Sequence, residues 1–244
     1  MEDLIEITRR IFRDRYPTAD VILLAGSLLR GEGTLYSDLD VIVIFDRLPH
    51  ARRESFIFHG RMVEAFIHDP ETLNYFLFES RRSPRSPATA RMVAEGIEIP
   101  GPTESSRALK RIANEFLAAG PPEIPEEEER RLRYTITNLI DDIREPRSRE
   151  ELVASGAELY GALANYYFRE NRIWPATDKT IPRALRRAEP ELYTRYCEAF
   201  ESLFADGRGD QVIALAEEIL KQQGGFLFDG YQSDASPECR KPLA

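Results

Sequence analysis

The sequence predicts an α+β protein, with an α/β domain over residues 1–100, an all-helical domain over 101–230 and a loose tail over 231–244. Three observations carry this. Short runs rich in Val and Ile, at residues 21–25 and 39–45, occur only in the first hundred residues. Beyond them, apolar residues recur at helical spacing through residues 105–119, 126–144, 148–170, 182–187, 191–204 and 211–223. Between the two textures stands Ile-Pro-Gly-Pro-Thr at 99–103, a segment that neither a strand nor a helix tolerates.

Taken in order, apolar residues at Leu4, Ile5, Ile7, Ile11 and Phe12 predict a helix that Pro17 stops. The run 21–25 reads as a strand ended by Gly26, and 27–37 as a polar, glycine-punctuated loop. Residues 39–45 read as a strand buried on both faces. Residues 55–58 and 61–67 flank His59-Gly60, which predicts a tight hairpin. Residues 70–80 look helical, and Arg81, Arg82 and Arg85 fall in a basic, proline-broken loop with solvated side chains.

Size and composition bound the function. With 244 residues, 42% hydrophobic and 31% charged, the chain has the make-up of a globular protein able to bury a core. A net charge of -9 argues against a protein that coats nucleic acid through general electrostatics. Cys197 and Cys239 make neither a metal-ligand spacing nor a disulfide framework. The opening residues carry acids and no long apolar run, so no secretory signal and no membrane span are expected, and the cytoplasm is the expected compartment.

The chemistry concentrates in residues 25–44, AGSLLRGEGTLYSDLDVIVI. Side chains alternate along a strand, so Asp38 and Asp40 point to one side and Leu39 and Val41 to the other. Two carboxylates at the start of a buried strand repel each other unless a cation sits between them. Mg²⁺ suits that position, being hard, oxygen-seeking and able to bridge to phosphates; Mn²⁺ would serve similarly. Glu64 sits among Met62, Val63, Ala65 and Phe66, where a lone charge is costly. If the hairpin lays this strand beside 39–45, Glu64 becomes the third carboxylate on the same ion or pair of ions. One slip in register would turn it away. Gly26-Ser27, directly after a strand, lets the backbone approach a phosphate with N–H and hydroxyl donors, and Arg30 can add a bidentate contact. The segment is not a P-loop, because Glu32 stands where the lysine is required.

A glycine-serine pair after a strand, ten intervening residues, then Asp-hydrophobic-Asp-hydrophobic resembles the signature of the nucleotidyltransferase superfamily that includes polymerase-β-type domains. The form Gly26-Ser27-x-x-Arg30-Gly31 is similar to its small bacterial members, the minimal and the aminoglycoside nucleotidyltransferases. The motif covers about twenty residues, and Glu64 extends it to a third acid. The resemblance implies an N-terminal nucleotidyltransferase domain of mixed sheet and helices. It also implies a nucleoside triphosphate, ATP above all, and transfer of its nucleotidyl group to an acceptor. A helical second domain resembles the layout of kanamycin- and streptomycin-type adenylyltransferases, whose acceptor lies between domains.

The helical half carries weaker signals. In YYFRENRIWPATDK, a turn presents Trp174, Asp178 and Lys179. Lys179 could neutralise a β- or γ-phosphate, and Trp174 with Asp178 could hold a cationic sugar, against packing and surface roles for the same residues. Asp141 and Asp142 are candidates for an acceptor-side base, against a solvated helix face with Arg144 as partner. Three functions are consistent with these residues: NMP transfer to a hydroxyl of a small, aminoglycoside-like molecule; AMPylation of a protein by an antitoxin-type enzyme; and nucleotide binding without turnover.

Overall fold

The computed structural model describes residues 2–82 and 86–240, with the side chains of 78–82 and 237 left aside. The basic-loop reading at Arg81, Arg82 and Arg85 therefore lies outside the described side chains. The chain divides into two compact units, Met1–Gly120 and Pro121–Ala244. Among the described residues, no helix is long and apolar enough to cross a membrane.

The first unit is built on five strands, β1 (Val21–Ala25), β2 (Leu39–Ile44), β3 (Arg52–Phe58), β4 (Arg61–His68) and β5 (Ile97–Ile99), in the order β3-β4-β2-β1-β5. β2 and β4 are parallel while the other neighbours are antiparallel, so the sheet is mixed. Every residue of β1 is buried, as the unbroken apolar run requires of a central strand. Helix α1 (Glu2–Arg15) supplies Ile11 to the cluster formed by Ile22, Leu24, Leu39, Val41, Val43, Val63, Ala65 and Ile67 on one face of the sheet. The polar residues Asp40 and Glu64 alternate with these and so emerge on the opposite face.

Three elements went unforeseen. A four-residue helix, α2 (Gly26–Leu29), opens the segment read as pure loop. Helix α4 (Ala88–Glu95) and strand β5 follow helix α3 (Pro70–Arg82). Helix α5 (Glu104–Ala119) starts at a Thr103 cap whose hydroxyl accepts from Ser106 N at 3.1 Å. It packs on α3 and α4, which carries the first unit to Gly120, past the segment 99–103.

The second unit is helical: α6 (Glu126–Arg144), α7 (Arg149–Glu170), α8 (Ile181–Ala188), α9 (Pro190–Asp206) and α10 (Asp210–Leu220). Ile136, Ile140, Leu159, Leu163, Leu185, Phe200, Leu203 and Leu215 form its core. The chain beyond α10 is tied back to α6. Arg133 Nε donates to Gly225 O at 2.8 Å, Leu227 N donates to Thr137 Oγ1 at 2.9 Å, and Tyr231 stacks on Tyr134 with centroids 4.0 Å apart. Residues 241–244, the end of the expected loose tail, lie outside the description.

Candidate active site

Strand pairing builds the site. In the register of β2 against β4, Asp40 stands opposite Glu64; in that of β1 against β2, Ala25 stands opposite Asp40. One row across the sheet therefore reads Ser55, Glu64, Asp40, Ala25. The turn between β3 and β4, which sets Ser55 opposite Glu64, is closed by His59 and Gly60 at φ 47 and 79, as the His-Gly pair predicted. Asp38, Asp40 and Glu64 each offer a carboxylate oxygen, and these oxygens all lie within 4.8 Å of one another, each side chain being half-buried.

Three carboxylates this close create a strong negative field. Burial first, and then the charges of Asp38 and Glu64, push the Asp40 carboxyl up to about 6. Arg30 and Arg53 oppose that shift without cancelling it. Such a donor set fits a hard divalent cation, which takes oxygen ligands and is favoured where carboxylates converge. Arg53, on edge strand β3, forms an ion pair with Glu64 that nothing in the sequence announced. The signal was present only as alternation: Arg53, Ser55 and Ile57 share the face on which Glu64 lies.

The glycine-serine turn adjoins the acids. Gly26 has φ 81, and a Cβ built on it would lie 1.9 Å from Asp40 Oδ2. The carboxylate thus occupies the space a side chain would need, and only glycine serves at the first position of α2. Ser27 follows in the first turn of that helix, where main-chain N–H groups are unsatisfied by the helix itself. Arg30 lies at the end of the same turn, its guanidinium shared between Glu32 at 3.2 Å and Glu95 at 3.3 Å.

The remaining expected residues lie in the second unit. Trp174 is 7% exposed, a packed position rather than an open stacking surface. Asp178 and Lys179 are exposed in a 3-10 turn, Asp178 at φ 48. Asp141 accepts from Arg144 at 2.7 Å, the helix-face pairing, and Asp142 lies 3.4 Å from Ser155 Oγ.

Asp40 and Glu64 on adjacent parallel strands, beside a tight glycine turn, form an arrangement able to hold a cation next to a phosphate. The family model for a nucleotidyltransferase domain matches residues 5–82, and this part of the chain is a nucleotidyltransferase domain. Among solved structures, a nucleotidyltransferase-like protein from Exiguobacterium sibiricum 255-15 is similar at 19% identity and a TM-score of 0.42, over 90% of this chain and 75% of that one. No curated protein sequence matches. The matched span runs from α1 through α3 and contains the glycine-serine turn and all three acids.

Proposed function

We propose that this enzyme transfers AMP from ATP to a hydroxyl group of a small, sugar-containing acceptor, using Mg²⁺ held by Asp38, Asp40 and Glu64. The observation that carries the reading is the convergence of these three carboxylates within 4.8 Å beside Gly26 and Ser27. A bound divalent cation would supply charge neutralisation of the triphosphate and of the leaving pyrophosphate, and would acidify the attacking hydroxyl. The protein residues position the reactants around it. Gly26 brings the main chain close enough for its N–H groups and the Ser27 hydroxyl to hold a phosphate, at the end of a strand that also fixes Asp40. Arg30 reaches a phosphate oxygen by exchanging one of its two carboxylate partners for it.

The acceptor is the finer part of the proposal. The net charge of -9 disfavours a nucleic-acid acceptor and favours a cationic small molecule. Lys179, Trp174, Asp178, Asp141 and Asp142 remain candidates for acceptor or phosphate contacts, all of them exposed except Trp174, which is buried. Incubation with each of four α-labelled triphosphates, Mg²⁺ and a panel of hydroxylated acceptors that includes the protein itself tests the reading. Label on an aminoglycoside-like compound supports it. Label on protein moves the activity to AMPylation, and nucleotide binding without label transfer removes catalysis.

A further inference from the structure

The Arg53–Glu64 ion pair is unusual in its setting. Glu64 has a 15% exposed side chain and belongs to the acidic cluster, whereas Arg53 is 61% exposed on the sheet's edge strand. In register, Ser55 faces Glu64 and Arg53 faces Phe66, so the guanidinium reaches diagonally to the carboxylate. It also lies over the Phe66 ring, 5.3 Å from the centroid. This gives Arg53 a second resting place, a cation–π contact it keeps if the carboxylate is withdrawn. An ion pair with so exposed a partner is weak and cheaply broken.

We propose that Arg53 is a resident counter-cation of the acidic cluster, which holds Glu64 in place and opposes loading of a bare divalent cation until that cation arrives with a nucleoside triphosphate. The inference rests on the reading of the three acids as metal ligands. Two cations compete for the same carboxylate, and the +1 charge of Arg53 repels a +2 ion at short range. The triphosphate brings the negative charge that offsets this repulsion, so metal and nucleotide load together. Once Glu64 turns to the metal, Arg53 rests on Phe66 at the open edge of the sheet. Arg53 is thus a positioning residue, and its effect falls on metal affinity before any chemistry occurs.

Mn²⁺ binding to the full chain, read by electron paramagnetic resonance, tests this in wild type, Arg53→Gln, Arg53→Lys and Asp40→Asn, with and without a non-hydrolysable ATP analogue. Without nucleotide, Arg53→Gln should bind Mn²⁺ about tenfold more tightly than wild type, the scale of a unit charge acting on a divalent ion under near-aqueous screening. Arg53→Lys keeps the charge and should match wild type. With the analogue, wild type and Arg53→Gln should converge. A residue that merely braced the hairpin would lower stability without tightening metal binding. Equal or weaker Mn²⁺ affinity in Arg53→Gln overturns the proposal. Unchanged Mn²⁺ affinity in Asp40→Asn overturns instead the metal reading beneath it.

Discussion

Replacing Asp40 by Asn should stabilise the metal-free protein at alkaline pH while destroying its capacity to bind metal. The carboxyl titrates at about 6 in the folded chain against a reference of 3.8, because of burial first and the Asp38 and Glu64 charges second. At pH values below the reference the carboxyl is protonated in both states and contributes nothing. Between 3.8 and about 6 the folded state binds more protons than the unfolded one, so stability falls as pH rises; above about 6 the full penalty is present. A shift of about two units corresponds to about 3 kcal/mol, and partial exposure of the group reduces this to about 1–2 kcal/mol. Asn keeps the shape without the charge, so Asp40→Asn recovers that amount at pH 8 in EDTA. The chain's one tryptophan, Trp174, lies in the second unit and does not report on β2. Amide hydrogen exchange over Leu39–Ile44 does, and protection there should rise about 5- to 30-fold in the variant. The gain should shrink towards pH 4.5. Mg²⁺ added together with a non-hydrolysable ATP analogue should reverse the order by stabilising the wild type alone. Lower protection in Asp40→Asn at pH 8 in EDTA would refute the repulsion on which the site is built.

Other expectations follow from particular contacts. Gly26→Ala combines a positive φ with a Cβ 1.9 Å from Asp40 Oδ2, and should cost about 2–4 kcal/mol in thermal or denaturant unfolding and also weaken metal binding. Glu64→Gln should leave unfolding within about 0.5 kcal/mol of wild type, since its ion-pair partner is exposed, yet lose most Mg²⁺-dependent turnover. Trp174→Ala removes a buried side chain and should lower the stability of the second unit by about 3–5 kcal/mol, seen in near-ultraviolet dichroism melts. Lys179→Ala, at an exposed turn, should melt like wild type; a raised KM for the triphosphate would place Lys179 on a phosphate, and an unchanged one would leave it at the surface.

The parts of the fold that the sequence made legible are those with a strong local signal. β1 and the hairpin turn at His59-Gly60 carry unbroken apolar runs or a forced φ, and the helices of the second unit have clear periodicity and proline stops. β5 has three residues, too few for alternation to register, and gains its place by pairing with β1. α4 is short, and no side chain caps its first turn. Helix α5 was foreseen as a helix, but its attachment to the first unit depends on packing against α3 and α4, which periodicity does not encode. At the site, Asp38 and Asp40 are legible from the motif and from alternation, although Asp38 itself precedes β2, which begins at Leu39. The convergence of Glu64 depended on β4 lying parallel to β2 in a register that puts it opposite Asp40, and that register is observed. Two contacts lay beyond reach: the Arg53–Glu64 pair, which depends on a diagonal across two strands, and the seating of Asp40 against Gly26, which depends on how β1 turns into α2.

Calorimetric titration of a non-hydrolysable ATP analogue into wild type and Asp40→Asn, in Mg²⁺ and again in EDTA, addresses the central claim directly. If Asp38, Asp40 and Glu64 hold the cation that binds the triphosphate, the wild type should bind in Mg²⁺ at least about 100-fold more tightly than in EDTA, and the variant should lose that dependence. Equal affinity in all four titrations would contradict the claim.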